Sequence, residues 1–100
     1  MEKWADFLIS AVRYSADGTH IEKVRVHEDK GDTVGSPSES LRTEVVNNIK
    51  NGKTYVTIFK EQDKWKKGQD VHIIKVGNEE FIRTDKNQIA RDNLENLLTF

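Results

Sequence analysis

The stretch Leu41-Arg42-Thr43-Glu44-Val45-Val46-Asn47-Asn48-Ile49-Lys50-Asn51-Gly52-Lys53-Thr54-Tyr55-Val56-Thr57-Ile58-Phe59-Lys60 decides the fold class. In its first half Leu41, Val45 and Ile49, with Val46 beside them, recur at the spacing of one helix face. Asn51-Gly52 ends that pattern, because Gly52 accepts the left-handed conformation that closes a helix. Over residues 53–60 β-branched and aromatic side chains take over, which is the composition of a strand. One helix therefore sits among strands, and the remaining question is how the strands connect.

Upstream, Phe7–Tyr14 reads as a strand with Phe7, Ile9 and Ala11 on one face and Leu8, Val12 and Tyr14 on the other. Apolar residues on both faces predict an interior strand. Ser15-Ala16-Asp17-Gly18 is a turn, and residues 19–28 return as a more polar strand with Val24 and Val26 on one face. Ile21 is out of phase with those valines, which predicts a bulge or a displaced start. Residues 29–39 hold two glycines and the only proline, so they read as loop. Ser36-Pro37-Ser38-Glu39 matches a capping box with proline at the first helical position, and Ser40 competes with it as N-cap.

Downstream, residues 61–70 read as a charged connection around Trp65 and Gly68. Residues 71–76 are a strand, and Gly77-Asn78 turns it into a hairpin with residues 81–84. Residues 85–100 carry Ile89, Leu94, Leu97, Leu98 and Phe100, which suit either a short helix or an extended tail. The burial of such side chains nearly cancels the entropy of ordering the chain, so the tail is expected to pack through Leu97 and fray beyond it. Asp92-Asn93 is expected to turn the chain by bonding its own backbone.

Hairpin-length connections imply antiparallel pairing, and only the passage through the helix is long enough for a crossover. The expectation is one α+β domain over residues 1–100: a mainly antiparallel sheet of about five strands, order β-β-α-β-β-β, with the helix on one face. A small, partly closed barrel with the helix as plug is the alternative.

Composition limits what such a domain does. Hydrophobic residues make up 35% and charged residues 33%, with 17 acidic and 16 basic side chains and a net charge of −1. No global field favours nucleic acid or an anionic membrane, so such binding would need a local patch. The absence of cysteine excludes disulfides, thiolate metal sites and cysteine nucleophiles. The polar start reads as no signal peptide, no run is long enough to span a membrane, and a cytoplasmic location is expected.

Candidate chemistry is sparse. His20, His27 and His72 lack metal-ligand spacing and read as solvated or locally hydrogen-bonded. His27-Glu28-Asp29-Lys30-Gly31-Asp32 lacks the alternating oxygen ligands of a calcium loop and reads as a solvated acidic loop. Ser10, Ser15, Ser36, Ser38 and Ser40 lie in no nucleophile elbow, and no glycine run has the pattern of a phosphate cradle. No catalytic, metal-binding or cofactor-binding residue is predicted, and no enzyme is expected.

The strongest local feature is Lys60-Glu61-Gln62-Asp63-Lys64-Trp65-Lys66-Lys67. Lys60, Lys64, Trp65, Lys66 and Lys67 form a candidate binding patch in a hairpin loop, with an aromatic to stack on a base and cations for phosphate. The competing reading folds Trp65 back as a cap on the sheet while the lysines stay in water. The leading expectation is a non-catalytic accessory module that binds a macromolecule, most naturally a protein, by strand addition at an exposed edge. Single-stranded nucleic acid bound through the Trp65 patch is the alternative partner, and no membrane is expected.

Several segments together carry a resemblance. They are Ile9-Ser10-Ala11-Val12-Arg13-Tyr14, Asp17-Gly18-Thr19-His20-Ile21, Lys50-Asn51-Gly52-Lys53, Trp65-Lys66-Lys67-Gly68, Phe81-Ile82-Arg83-Thr84-Asp85 and Asp92-Asn93-Leu94. In these the chain resembles the small bacterial and phage-borne proteins grouped as domain-of-unknown-function family 3892, over nearly its whole length. Ser40-Leu41 departs from the resemblance, which implies a tryptophan-serine pair there. The resemblance implies the limits of the domain and assigns no activity, cofactor or site residue.

Overall fold

Strand β1 (Phe7–Tyr14) is the interior strand that its two apolar faces predict. The computed structural model of the chain describes residues 4–16, 20–31, 33–84, 92, 94 and 97–100. The other elements are β2 (Ile21–Glu28), β3 (Ser38–Leu41), α1 (Arg42–Lys50), β4 (Tyr55–Glu61), β5 (Lys64–Asp70), β6 (His72–Val76), β7 (Glu79–Arg83) and β8 (Leu98–Thr99). The main sheet has the order β3-β2-β1-β4-β5, with β8 also on β1. Its ladders are antiparallel except that β4 and β8 both run parallel to β1. The α+β class with one helix on a mainly antiparallel sheet is therefore as expected. Among the described residues the sheet does not close, since β3 and β5 are its two edges, and this overturns the barrel alternative.

Two bulges set which side chains face the core. Between the pairs Ile9↔Val26 and Ala11↔Arg25 one extra residue, Ser10, is inserted in β1. The side-chain alternation slips there, so Phe7, Ile9, Val12 and Tyr14 all reach the core beneath the helix. The simple alternation that put Ala11 with Ile9 is corrected by this bulge. Between Arg13↔Lys23 and Tyr14↔Ile21 the extra residue is Glu22, in β2. It brings Ile21 into the same cluster as Val24, as the phase break in the sequence implies.

The helix begins later than the capping box suggests. Residues 38–41 pair with β2, so their backbone groups are committed to a ladder and the helix starts at Arg42. Leu41 occupies the N-cap position with no side-chain cap, while Ser40 Oγ donates to Glu44 Oε2 at 3.2 Å. Neither Ser36 nor Ser40 caps the helix, and Leu41 is half exposed rather than part of the buried stripe. Val45 and Val46 are buried, and Ile49 packs beside them. The end is as read: Gly52 has φ +90°, and the amides of Asn51, Gly52 and Lys53 take the last helical carbonyls.

The hairpin of β6 and β7 around Gly77-Asn78 also matches its sequence signal, but it forms a separate two-stranded ladder. Ile73 and Ile82 join Val45, Ile9, Val24 and Leu94 in the larger core on one face of the main sheet. A smaller cluster of Ala5, Leu8, Val56 and Ile58, with Trp4, Val34 and Trp65 against it, lies on the opposite face.

The turn predicted through Gly18 and most of residues 85–97 lie outside the described residues. What is described of the tail bears on two expectations. Among the described residues the partners of Asp92 are distant in sequence: its carboxylate accepts from the amides of Ile21 at 2.7 Å and Ile82 at 2.8 Å and from Arg42. The last residues do not fray, because β8 pairs with β1 and the Phe100 amide donates to the Val12 carbonyl at 3.0 Å.

Candidate functional site

The charged connection of residues 61–70 is itself a strand. Gln62 and Asp63 both take positive φ, which makes the tight turn of a two-residue hairpin, and β5 returns along β4. A bulge near Gly68 completes it. Thr57 Oγ1 accepts from the Gln69 amide at 2.9 Å, and a side chain on Gly68 would collide with Thr57.

This pairing distributes the candidate patch over two faces. Lys60 lies opposite Trp65 and Lys67 opposite Ile58, so these four share the face of the smaller cluster. Lys64 and Lys66, opposite Glu61 and Phe59, alternate to the other side. Trp65 is half-buried, with the Lys60 ammonium 5.0 Å from its ring centre and the His27 imidazole 5.4 Å away at a tilt. The capping reading of Trp65 describes this packing, although from a strand and not from a loop.

A cleft of about 510 Å³ opens beside Trp65. Its origin is topological. β1 and β4 pair only from Phe7↔Tyr55 to Ile9↔Thr57. Beyond that point β8 takes the β1 edge at Ala11 and Val12. Since β2 occupies the other edge of β1 at the same residues, β8 lies on the side of β4. Residues 58–61 of β4 are then paired with β5 on one side and, among the described residues, with no strand on the other. Leu97 and Leu98 line the cleft from one side, and Ile58, Phe59, Lys60 and Trp65 from the other. Phe59 and Leu98 are 45% and 75% exposed, two of the three large apolar side chains that the described surface leaves in water.

The polar members of the cleft are Ser10, Arg25, Lys60 and His27. His27 is buried, not solvated. Its Nδ1 lies 2.8 Å from the Gly35 carbonyl, which can only accept, so in the neutral ring Nδ1 carries the proton. Its Nε2 then accepts from the Ser10 hydroxyl at 2.7 Å. Arg25 places its guanidinium 4.7 Å from the Phe100 ring centre.

In the acidic stretch that follows, Glu28 and Lys30 are exposed as expected, but Asp29 is not. Asp29 is buried, and its carboxylate accepts from the amides of Trp4 at 2.6 Å, Ala5 at 3.3 Å and Gly31 at 2.9 Å. The other histidines lie elsewhere: His20 stacks on Phe81 at 5.4 Å, and His72 stands at the start of β6. Among the described residues no group of three His, Asp or Glu side chains is placed to hold a metal ion. No helix among them is long and apolar enough to cross a membrane.

Sequence reasoning found Lys60 and Trp65 but missed Ser10, Arg25, His27, Phe59 and Leu98 as members of one site. Only the strand registers bring them together, and no local motif marks them.

The fold and cleft define a small α+β domain with an open, mostly apolar recess in the gap between β4 and β8. The chain belongs to a family described as "Protein of unknown function (DUF3892)", whose profile matches residues 8–98. Neither the curated proteins nor the solved structures give a significant match.

Proposed function

We propose that this protein is a binding module rather than an enzyme, and that it holds an extended segment of a partner protein in the cleft between β4 and β8. The observation that carries this reading is the one-sided pairing of residues 58–61, rimmed by exposed Phe59 and Leu98. A strand edge offers main-chain donors and acceptors to an incoming chain, and apolar rim residues supply affinity when covered. The Ser10–His27 pair serves here as scaffold, tying the β1 bulge to β2 and to the Gly35 backbone while Trp65 leans on the imidazole.

Single-stranded nucleic acid suits the same surface less well. Lys64 and Lys66 alternate away from Trp65, and the Lys60 ammonium already lies over its ring.

Selection of displayed random peptides on the folded protein, followed by amide-resolved NMR titration, tests the reading. Shifts should concentrate at residues 58–61 and 97–100, and binding should disappear in the Phe59→Asp, Leu98→Asp double variant. Selected peptides that perturb only another surface would overturn it.

A further inference from the structure

Resting on that reading, we infer that the segment bound in the cleft is acidic, with a large apolar side chain flanked by aspartate or glutamate. The argument is one of charge. Arg25 and Lys60 both line the cleft, and no acidic side chain does so among the described residues. Four cations elsewhere do meet an acid: Arg13 meets Glu22, Lys23 meets Glu39, Arg42 meets Asp92 and Lys50 meets Glu80. Arg25 and Lys60 instead rest on the rings of Phe100 and Trp65, and neither joins an ion pair among the described residues.

A cation held against an aromatic face keeps its charge and most of its hydrogen-bonding capacity for an incoming anion. Between the two cations the surface is apolar, with Ile58, Phe59, Pro37 and Leu98 on the wall and rim. An apolar anchor therefore fits the recess while carboxylates reach Arg25 on one side and Lys60 on the other. The anchor supplies burial, and the flanking charges select among extended segments. Lys67, on the same face as Trp65, extends the positive field along β5.

The probe is a pair of fluorescein-labelled peptides with one central tryptophan, flanked in one by glutamates and in the other by glutamines. At about 0.15 M salt the acidic peptide should bind about 5- to 20-fold tighter, and the gap should shrink as salt is raised. Arg25→Gln and Lys60→Gln should each weaken it by about 2- to 5-fold, while Lys64→Gln, which does not line the cleft, should leave it unchanged. Equal affinity of both peptides, with shifts still at residues 58–61, would overturn the acidic specificity and leave the strand-binding reading standing. Shifts from neither peptide in the cleft, while selected peptides bind elsewhere, would remove both. An oligothymidylate that displaces the acidic peptide and binds more tightly would assign the cations to phosphate and overturn the inference.

Discussion

Arg42 grips Asp92 with two bonds, Nε to Oδ2 at 2.6 Å and a terminal nitrogen to Oδ1 at 3.2 Å, around a carboxylate that has no exposed side-chain surface. The same guanidinium donates to the Glu80 carbonyl, and the same carboxylate accepts the amides of Ile21 and Ile82. One buried charge thus joins the first turn of α1, the start of β2 and the strand β7. Removing one partner of such a pair leaves the other buried and unmatched. Asp92→Ala is expected to cost about 3–5 kcal/mol in urea melts, the range for breaking a buried pair. A loss below about 1 kcal/mol would show that the carboxylate is dispensable and that the three elements are held by apolar packing alone.

The tail gives a paired expectation. Leu94 is fully buried in the core beneath the helix, whereas Leu98 lies on β8 with its side chain mostly in water. Leu94→Ala should cost about 2–5 kcal/mol, and Leu98→Ala less than about 0.5 kcal/mol. Comparable losses in thermal or urea melts would mean that residues 97–100 contribute to stability beyond their burial.

At Gly68 the argument is steric. A Cβ there would stand 2.9 Å from the Thr57 carbonyl oxygen as well as against its side chain, so moving the threonine hydroxyl does not make room. Gly68→Ala should therefore cost about 1–3 kcal/mol, the range for overpacking. It should also broaden the amide signals of Thr57 and Gln69, whose bond closes the bulge. A neutral substitution would mean that β5 shifts along β4 without penalty.

The parts of this fold legible in the sequence are those fixed by local chemistry. Asn51-Gly52 and Gly77-Asn78 read correctly because the backbone conformation they permit is a property of those residues. β1 read as interior because its composition is apolar on both faces. What escaped depends on partners distant in sequence. The capping box at Ser36 is intact as a pattern, yet residues 38–41 gain more by extending the β2 ladder than by starting a helix. β5 carries one large apolar side chain, Trp65, in seven residues, so no alternation marks it, and its pairing partner β4 defines it. Ser10 and His27 are 17 residues apart and meet only because a bulge at Ser10 sets the register of β1 on β2. Asp29 and Asp92 look like surface carboxylates in sequence, and only the structure shows the amides they satisfy. The cleft belongs to the same class: it exists because β1 and β4 part after three paired residues, which no single segment announces.

The last expectation concerns alkaline pH. Tyr55 is buried, stacked on Phe7 at 5.1 Å, and its hydroxyl accepts from Asn48 Nδ2 at 2.9 Å. Burial lifts its pKa above the ordinary 10.0; the Asn48 bond opposes this by favouring the phenolate, and the charge of Glu44 adds to the rise. In the unfolded chain the phenol ionises at its ordinary value, whereas in the folded protein it resists ionisation until a higher pH. The unfolded state therefore releases its proton first, and the folded state loses relative stability as pH rises from about 10 toward the raised value. Below that window the contribution is fully present. Tyr55→Phe removes the ionisable group, so its melting temperature should fall less steeply than that of the wild type between about pH 9 and 11. At neutral pH the variant should be less stable by about 0.5–1.5 kcal/mol, because the Asn48 amide loses its acceptor. Lysine and other tyrosine titrations act on both proteins alike and cancel in the comparison. Parallel alkaline profiles for the two would show that Tyr55 ionises in the folded state as freely as in the unfolded chain.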